Sequence, residues 1–217
     1  MSIESSAVPA PGLRERTRRA VRAELTAVAL DLFLQRGFEA TTVDEIAAAA
    51  GISRRSLFRY FASKEAIIFD NLQDVGETLA EALAKRPYDE DAWVALRRSF
   101  EVVTAYNVDN PERTLAFWRM LEETASLKAR HFQQLMSWQQ LLVPDISVRL
   151  GEAGPAANGN GSGGYPDGEY GPRAPAVVGA ALACLDAANH AWLRSQGRAD
   201  VVQLLDEAMR AVRPAQF

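Results

Sequence analysis

Residues 42–61, TVDEIAAAAGISRRSLFRYF, constrain the fold more than any other stretch, because they hold two short amphipathic segments on either side of a glycine. Thr42 offers a side-chain oxygen to the first backbone N–H groups of a helix, and Glu45 three positions later completes a capping box. Val43, Ile46, Ala47 and Ala50 give that helix one apolar side, and Gly51 ends it. Ser53 is a second cap, after which Leu57 and Phe61 point one way along another short helix. Two helices crossing steeply need a small residue at the crossing and a glycine where the chain reverses, and Ala47 and Gly51 supply both. The pattern predicts a helix-turn-helix. Packing Ile46, Ile52, Leu57 and Phe61 against Leu32 and Phe33 of a preceding helix contributes about 1.5–3 kcal/mol per fully buried large side chain.

Order is predicted to begin near Leu13, and Val21, Leu25, Val28 and Leu32 recur at the spacing of an amphipathic helix that runs to Arg36, where Gly37 stops it. After a third cap at Ser63, with Glu65 in the first turn, a longer helix is predicted to about Arg86, before Pro87. Further helical registers cover 89–107, then 111–150 with a kink at Pro144, then 175–196 and 200–212. No segment reads as a strand. The expected class is all-α, with a mobile tail at 1–12, a three-helix helix-turn-helix domain at 13–62 and a helical domain at 63–217. Residues 151–176 hold 8 of the 14 glycines and 4 of the 10 prolines, the composition of a flexible loop.

Several function classes are disfavoured. No uninterrupted apolar run nears the ~18–20 residues that cross a bilayer, and the N-terminus lacks a signal-peptide core, so a soluble, cytoplasmic protein with no membrane partner is expected. One cysteine, Cys184, builds no disulfide framework, and His131 and His190, far apart in sequence, give no metal site; no cofactor is expected. There is no nucleophile beside a plausible base and no phosphate-binding glycine motif joined to a strand, which argues against an enzyme. The net charge of −4 divides unevenly: 10 Lys/Arg stand against 8 Asp/Glu in residues 1–65, and 14 against 20 in the remainder.

The basic end carries the candidate chemistry. With Leu57 and Phe61 inward, Arg55 and Arg59 lie on the opposite face, with Arg54, Ser56 and Tyr60 beside them. An arginine can present two parallel donors to O6 and N7 of guanine in a major groove. Thr42, Ser53 and Lys64 stand at helix starts, where backbone N–H groups favour phosphate, and the Tyr60 hydroxyl can reach another.

Residues 17–65 resemble the DNA-binding domain of the TetR family of bacterial regulators. The resemblance is carried by Ala29, Leu32, Phe33, Gly37, Phe38, Thr41, Thr42, Val43, Ile46, Ala47, Ala50, Gly51, Ser53, Leu57, Tyr60, Phe61, Ser63, Lys64 and Glu65 at the family's spacing. Phe58 departs from it, standing where the family often has a phosphate-contacting tyrosine. The resemblance implies an all-helical homodimer of roughly nine helices, whose first three read a palindromic double-stranded operator and whose last two form a four-helix interface. The apolar positions for such an interface are Val178, Leu182, Leu185, Trp192, Val201, Leu205, Ala208 and Val212.

It also implies a small-molecule effector, whose binding pivots the helix at 63–86 and spoils the ~34–36 Å half-site spacing, relieving repression. Phe100, Val103, Thr104, Phe117, Trp118, Leu121, Phe132, Leu135 and Met136 fall on expected inward faces and could line its cavity, with Arg119 or Asn189 meeting a polar head. The stretches WVALRRSF, AVVGAALACLDAANHAWL and LLDEAM resemble the branch grouped with the mycofactocin regulator, which implies an acyl-CoA-like ligand. The rival reading is a helical ligand-binding or scaffold module without DNA binding, supported by the overall acidity.

Overall fold

The computed structural model describes residues 12–109, 111–152 and 170–212. Among these lie ten helices and no strand: α1 (Leu13–Arg36), α2 (Val43–Ala49), α3 (Arg54–Phe58), α4 (Lys64–Ala84), α5 (Ala92–Ser99), α6 (Glu101–Asp109), α7 (Pro111–Glu123), α8 (Ala125–Arg149), α9 (Arg173–Arg194) and α10 (Val201–Val212). The chain divides into two compact units, 1–71 and 72–217. That division falls inside α4 rather than at the expected boundary of 62. The first turns of α4 belong to the N-terminal unit because Ile67 and Phe69 are buried there and the Thr26 hydroxyl donates to the Ile67 carbonyl at 3.3 Å.

In the N-terminal unit, α1 is amphipathic only from Val21 onward. Leu25, Ala29 and Phe33 are buried, whereas the described side chains from Leu13 to Ala20 are exposed. Phe33 meets Phe38 with ring centroids 5.0 Å apart, and Ile46, Ala47, Leu57 and Phe61 complete the small core. The capping box forms as the spacing predicts: Glu45 N donates to Thr42 Oγ1 at 3.2 Å, and Thr42 N donates to Glu45 Oε2 at 2.8 Å. Gly51 adopts φ +68°, a left-handed backbone that lets Ile52 N reach back to the Ala47 carbonyl at 2.9 Å and close α2.

The larger unit corrects two boundaries. The helices expected over 89–107 and 111–150 are each broken once, at Phe100 and Thr124. Phe100 keeps a helical backbone (φ −68°, ψ −10°) whereas Thr124 is extended (φ −109°, ψ 109°), and neither residue type marks a break, so apolar spacing alone predicts longer helices. A dense core joins α4, α5, α8, α9 and α10, with Leu79, Leu83, Leu96, Phe100, Leu142, Ile146, Val178, Leu182, Leu185 and Leu205 buried.

Two contacts hold α4 to α8. A Cβ on Gly76 would run into Cδ1 and Nε1 of Trp138, so only glycine lets the indole pack this close. Arg149, its side chain fully buried, pairs with Asp145 and donates to the carbonyls of Leu83 (3.0 Å), Arg86 (3.1 Å) and Pro87, satisfying the end of α4.

Residues 153–169 and the tail at 1–11 lie outside the described residues, so most of the expected loop does too. Its last part is helical instead: α9 starts at Arg173, because Pro175 falls in the first turn, where no intrahelical N–H bond is needed. Contrary to the composition reading, α9 is long and apolar enough, by length and composition alone, to cross a membrane. In this fold it is a core helix, with Ala174, Val178, Ala181, Leu182, Leu185, Ala188 and Trp192 buried.

Candidate nucleic-acid interface

The short helix α3 is fixed on one side and open on the other. Leu57 is buried and Phe61 closes the base, where the Arg22 guanidinium lies 5.1 Å over its ring. Arg54, Arg55 and Arg59 are exposed on the remaining surface, together with half-buried Tyr60. Among the described residues Arg55 has neither hydrogen bond nor ion pair, so its five donors are available to an incoming acceptor. Arg59 stands 5.8 Å over the Tyr60 ring, which supports its planar fork without consuming its donors.

The other expected contacts are engaged inside the protein. The Thr42 hydroxyl belongs to the capping box, and Glu45 also pairs with Arg36 at 3.1 Å. The Thr42 backbone N–H and hydroxyl, ahead of Arg36, hold the exposed Glu45 carboxyl below its ordinary value. Ser53 accepts from Ser56 N at 3.1 Å, and the two hydroxyls meet at 2.9 Å. Arg54 reaches Asp44 at 2.9 Å, tying α3 to α2, and lies 5.6 Å over Phe58. Phe58 itself is 44% exposed, an apolar ring at the surface where a phosphate donor is absent. Lys64 donates to the carbonyls of Phe38 (2.8 Å) and Thr41 (3.2 Å) with its ammonium 4.1 Å over the Phe38 ring. It anchors the start of α4 to the α1–α2 corner.

A cleft of about 400 Å³ that sequence reading did not assign runs between the first turns of α1 and the end of α3. Arg14, Thr17, Arg18 and Val21 of α1 face Arg59 and Tyr60 across it. The signal was available: those four recur at i, i+3, i+4 and i+7, and the arginines stand where α1 has no apolar partner to cover. Three guanidinium groups and two hydroxyls on one concave surface suit a phosphate backbone.

The expected effector residues divide. Phe100, Thr104, Trp118, Leu121, Leu135 and Asn189 are buried, while Val103 and Phe117 are partly so. Phe132 and Met136, expected inward, are 65% and 42% exposed. The inward line of α8 runs through Leu135, Trp138, Leu142 and Ile146, and both residues sit beyond its edge. Of the expected dimer residues, Val178, Leu182, Leu185, Trp192, Val201 and Leu205 are at most 3% exposed within the single chain. Ala208 is half-buried and Val212 exposed. The exposed stripe of α9 is Ala176, Ala183 and Ala187.

The two histidines are not independent. His131 Nε2 lies 3.0 Å from Asp186 Oδ1, and His190 contacts Asp186 and Glu122. Among the described residues no group of three or more potential ligands is placed to hold a metal ion.

The helix-turn-helix is matched over residues 25–70 by the family described as bacterial regulatory proteins, tetR family. The HTH-type transcriptional regulator TcmR of Streptomyces glaucescens is 33% identical over 147 residues, covering 65% of each chain. The putative mycofactocin biosynthesis transcriptional regulator MftR of Mycobacterium tuberculosis is 31% identical over 140 residues, covering 63% of this chain and 69% of its own. The chain belongs to the TetR family. The chain spans 65% of the length of TcmR and 69% of that of MftR, and its described residues are all-helical or loop with an N-terminal helix-turn-helix. The fold agrees with Thermus thermophilus FadR, a TetR-family repressor solved in complex with lauroyl-CoA: TM-score 0.55, 21% identity, 90% of this chain and 98% of that one.

Proposed function

We propose that this TetR-family protein is a cytoplasmic repressor that binds a palindromic operator as a homodimer and lets go when a small amphipathic molecule binds its larger unit. The observation that carries the DNA reading is α3 itself, which buries Leu57 and leaves Arg55 and Arg59 exposed with unengaged donors. In this reading Arg55 and Arg59 enter the major groove, Phe58 meets a sugar or thymine methyl, and Arg14, Arg18 and Tyr60 take the flanking phosphates. Thr42, Ser53, Ser56 and Lys64 hold the frame, with backbone N–H groups near them left to phosphate.

The partner subunit docks on the outward alanines of α9, which let two helices approach closely, with Phe132 and Met136 of α8 as the apolar flank. The effector is acyl-CoA-like, as in the lauroyl-CoA complex of FadR. Its apolar chain lies near Thr104, Phe117, Trp118 and Leu121, and its polar head near Asn189. Footprinting on the protein's own promoter tests this: protection of a palindrome that fades on adding acyl-CoA is expected. Protection unmoved by acyl-CoA of every chain length would remove the effector, and no protected palindrome would remove the operator.

A further inference from the structure

α7, α8 and α9 are joined by one continuous polar chain inside the larger unit. Lys128 of α8 pairs with Glu122 Oε2 of α7 at 2.9 Å. Glu122 Oε1 lies 2.6 Å from His190 Nε2 of α9. His190 Nδ1 lies 2.8 Å from its own helix's Asp186 carbonyl oxygen and 3.5 Å from Asp186 Oδ2. Asp186 Oδ1 meets His131 Nε2 of α8 at 3.0 Å. Trp118 of α7 closes one side, its ring centroid 5.4 Å from His131 and 6.3 Å from His190.

The geometry decides the charge on His190. A carbonyl oxygen only accepts, and a carboxylate held ionised by Lys128 only accepts, so Nδ1 and Nε2 must both carry hydrogen. We propose that His190 is a proton-operated clasp: as an imidazolium it bridges Glu122 of α7 to Asp186 of α9, and losing that proton releases α7 from α9.

The surrounding groups act in the required direction. Burial alone would lower the His190 pKa, but the Asp186 carbonyl, the Asp186 carboxylate and Glu122 outweigh it and hold it above the ordinary 6.5. Glu122 is held below its ordinary value first by Lys128, with burial opposing and His190 adding to the effect. For Asp186, burial pushes upward and is outweighed by the His131 hydrogen bond and the charge of His190. The stabilisation from His190 is therefore complete below pH 6.5 and is lost as pH rises through its raised folded value. The carboxylate contributions are present above 4.5 and 3.8 and are lost as pH falls through their depressed values. The clasp is closed between those limits and opens on the alkaline side.

The inference does not depend on the DNA reading; its regulatory consequence does, since α7 carries Phe117, Trp118 and Leu121 of the proposed effector wall. With only two histidines in the chain, imidazole NMR titration of the wild-type protein reads the clasp directly. Signals assigned with His131→Gln should show His190 protonated on both nitrogens below a midpoint that lies above 6.5 and shifts downward in Glu122→Gln. Amide exchange in α7, corrected for its intrinsic pH dependence, should accelerate above that midpoint in the wild type and lose this step in His190→Gln. A His190 midpoint at or below 6.5, or an identical exchange profile with and without His190, overturns the proposal. If a variant fails to fold, the wild-type titration still decides. Absent operator binding beside a raised His190 midpoint would sink the DNA reading alone.

Discussion

Arg55 and Arg59 are the side chains whose removal separates function from folding most cleanly, because both are exposed and neither holds the N-terminal unit together. Replacing either by alanine is expected to weaken operator binding by about 1–3 kcal/mol, roughly five- to 150-fold, with the melting temperature unchanged. Anisotropy titration and thermal melting of the same samples check both halves. At this scale the sequence was legible wherever the interaction is local: Thr42 and Glu45 are three positions apart, and Ala47 and Gly51 four, so their geometry follows from helical pitch. It was not legible for His190, whose partner Glu122 is 68 positions away. Nor was it legible for the contacts of Lys64: its position at a helix start is visible, but the carbonyls of Phe38 and Thr41 that hold its ammonium are not.

Helices α4, α8 and α9 carry the next level. Gly76→Ala would drive a methyl into the Trp138 indole, and overpacking of this kind costs about 1–3 kcal/mol. A lowered urea midpoint, with a changed tryptophan emission, is the expected reading. Arg149→Met removes the positive partner of half-buried Asp145 and strands the carbonyls at the end of α4. A loss of about 3–5 kcal/mol with an unchanged denaturant slope is expected. Helix existence was plain from periodicity, but the phase of a wide apolar stripe was not. α8 is apolar from Phe132 round to Leu142, and only tertiary packing shows that Leu135 goes inward while Phe132 and Met136 stay out. α9 shows the converse: its large residues fill the chain's own core and its exposed side carries alanines.

For the whole molecule, the proposed homodimer turns on that alanine stripe. Ala183→Glu should place a charge in the closely packed interface and shift the protein to monomer in sedimentation velocity, while helicity by circular dichroism stays constant. Loss of helicity with dissociation would assign Ala183 to the core instead. The segregation of charge, +2 in residues 1–65 against −6 in the remainder, favours the N-terminal unit as the DNA-facing part of the proposed repressor. The salt dependence of operator affinity tests this account most directly. Measured by anisotropy on a palindromic duplex from the protein's promoter, log K should fall linearly with log salt, steepening by about 0.9 per phosphate contacted. No binding at the lowest salt, or an affinity indifferent to salt, would contradict it.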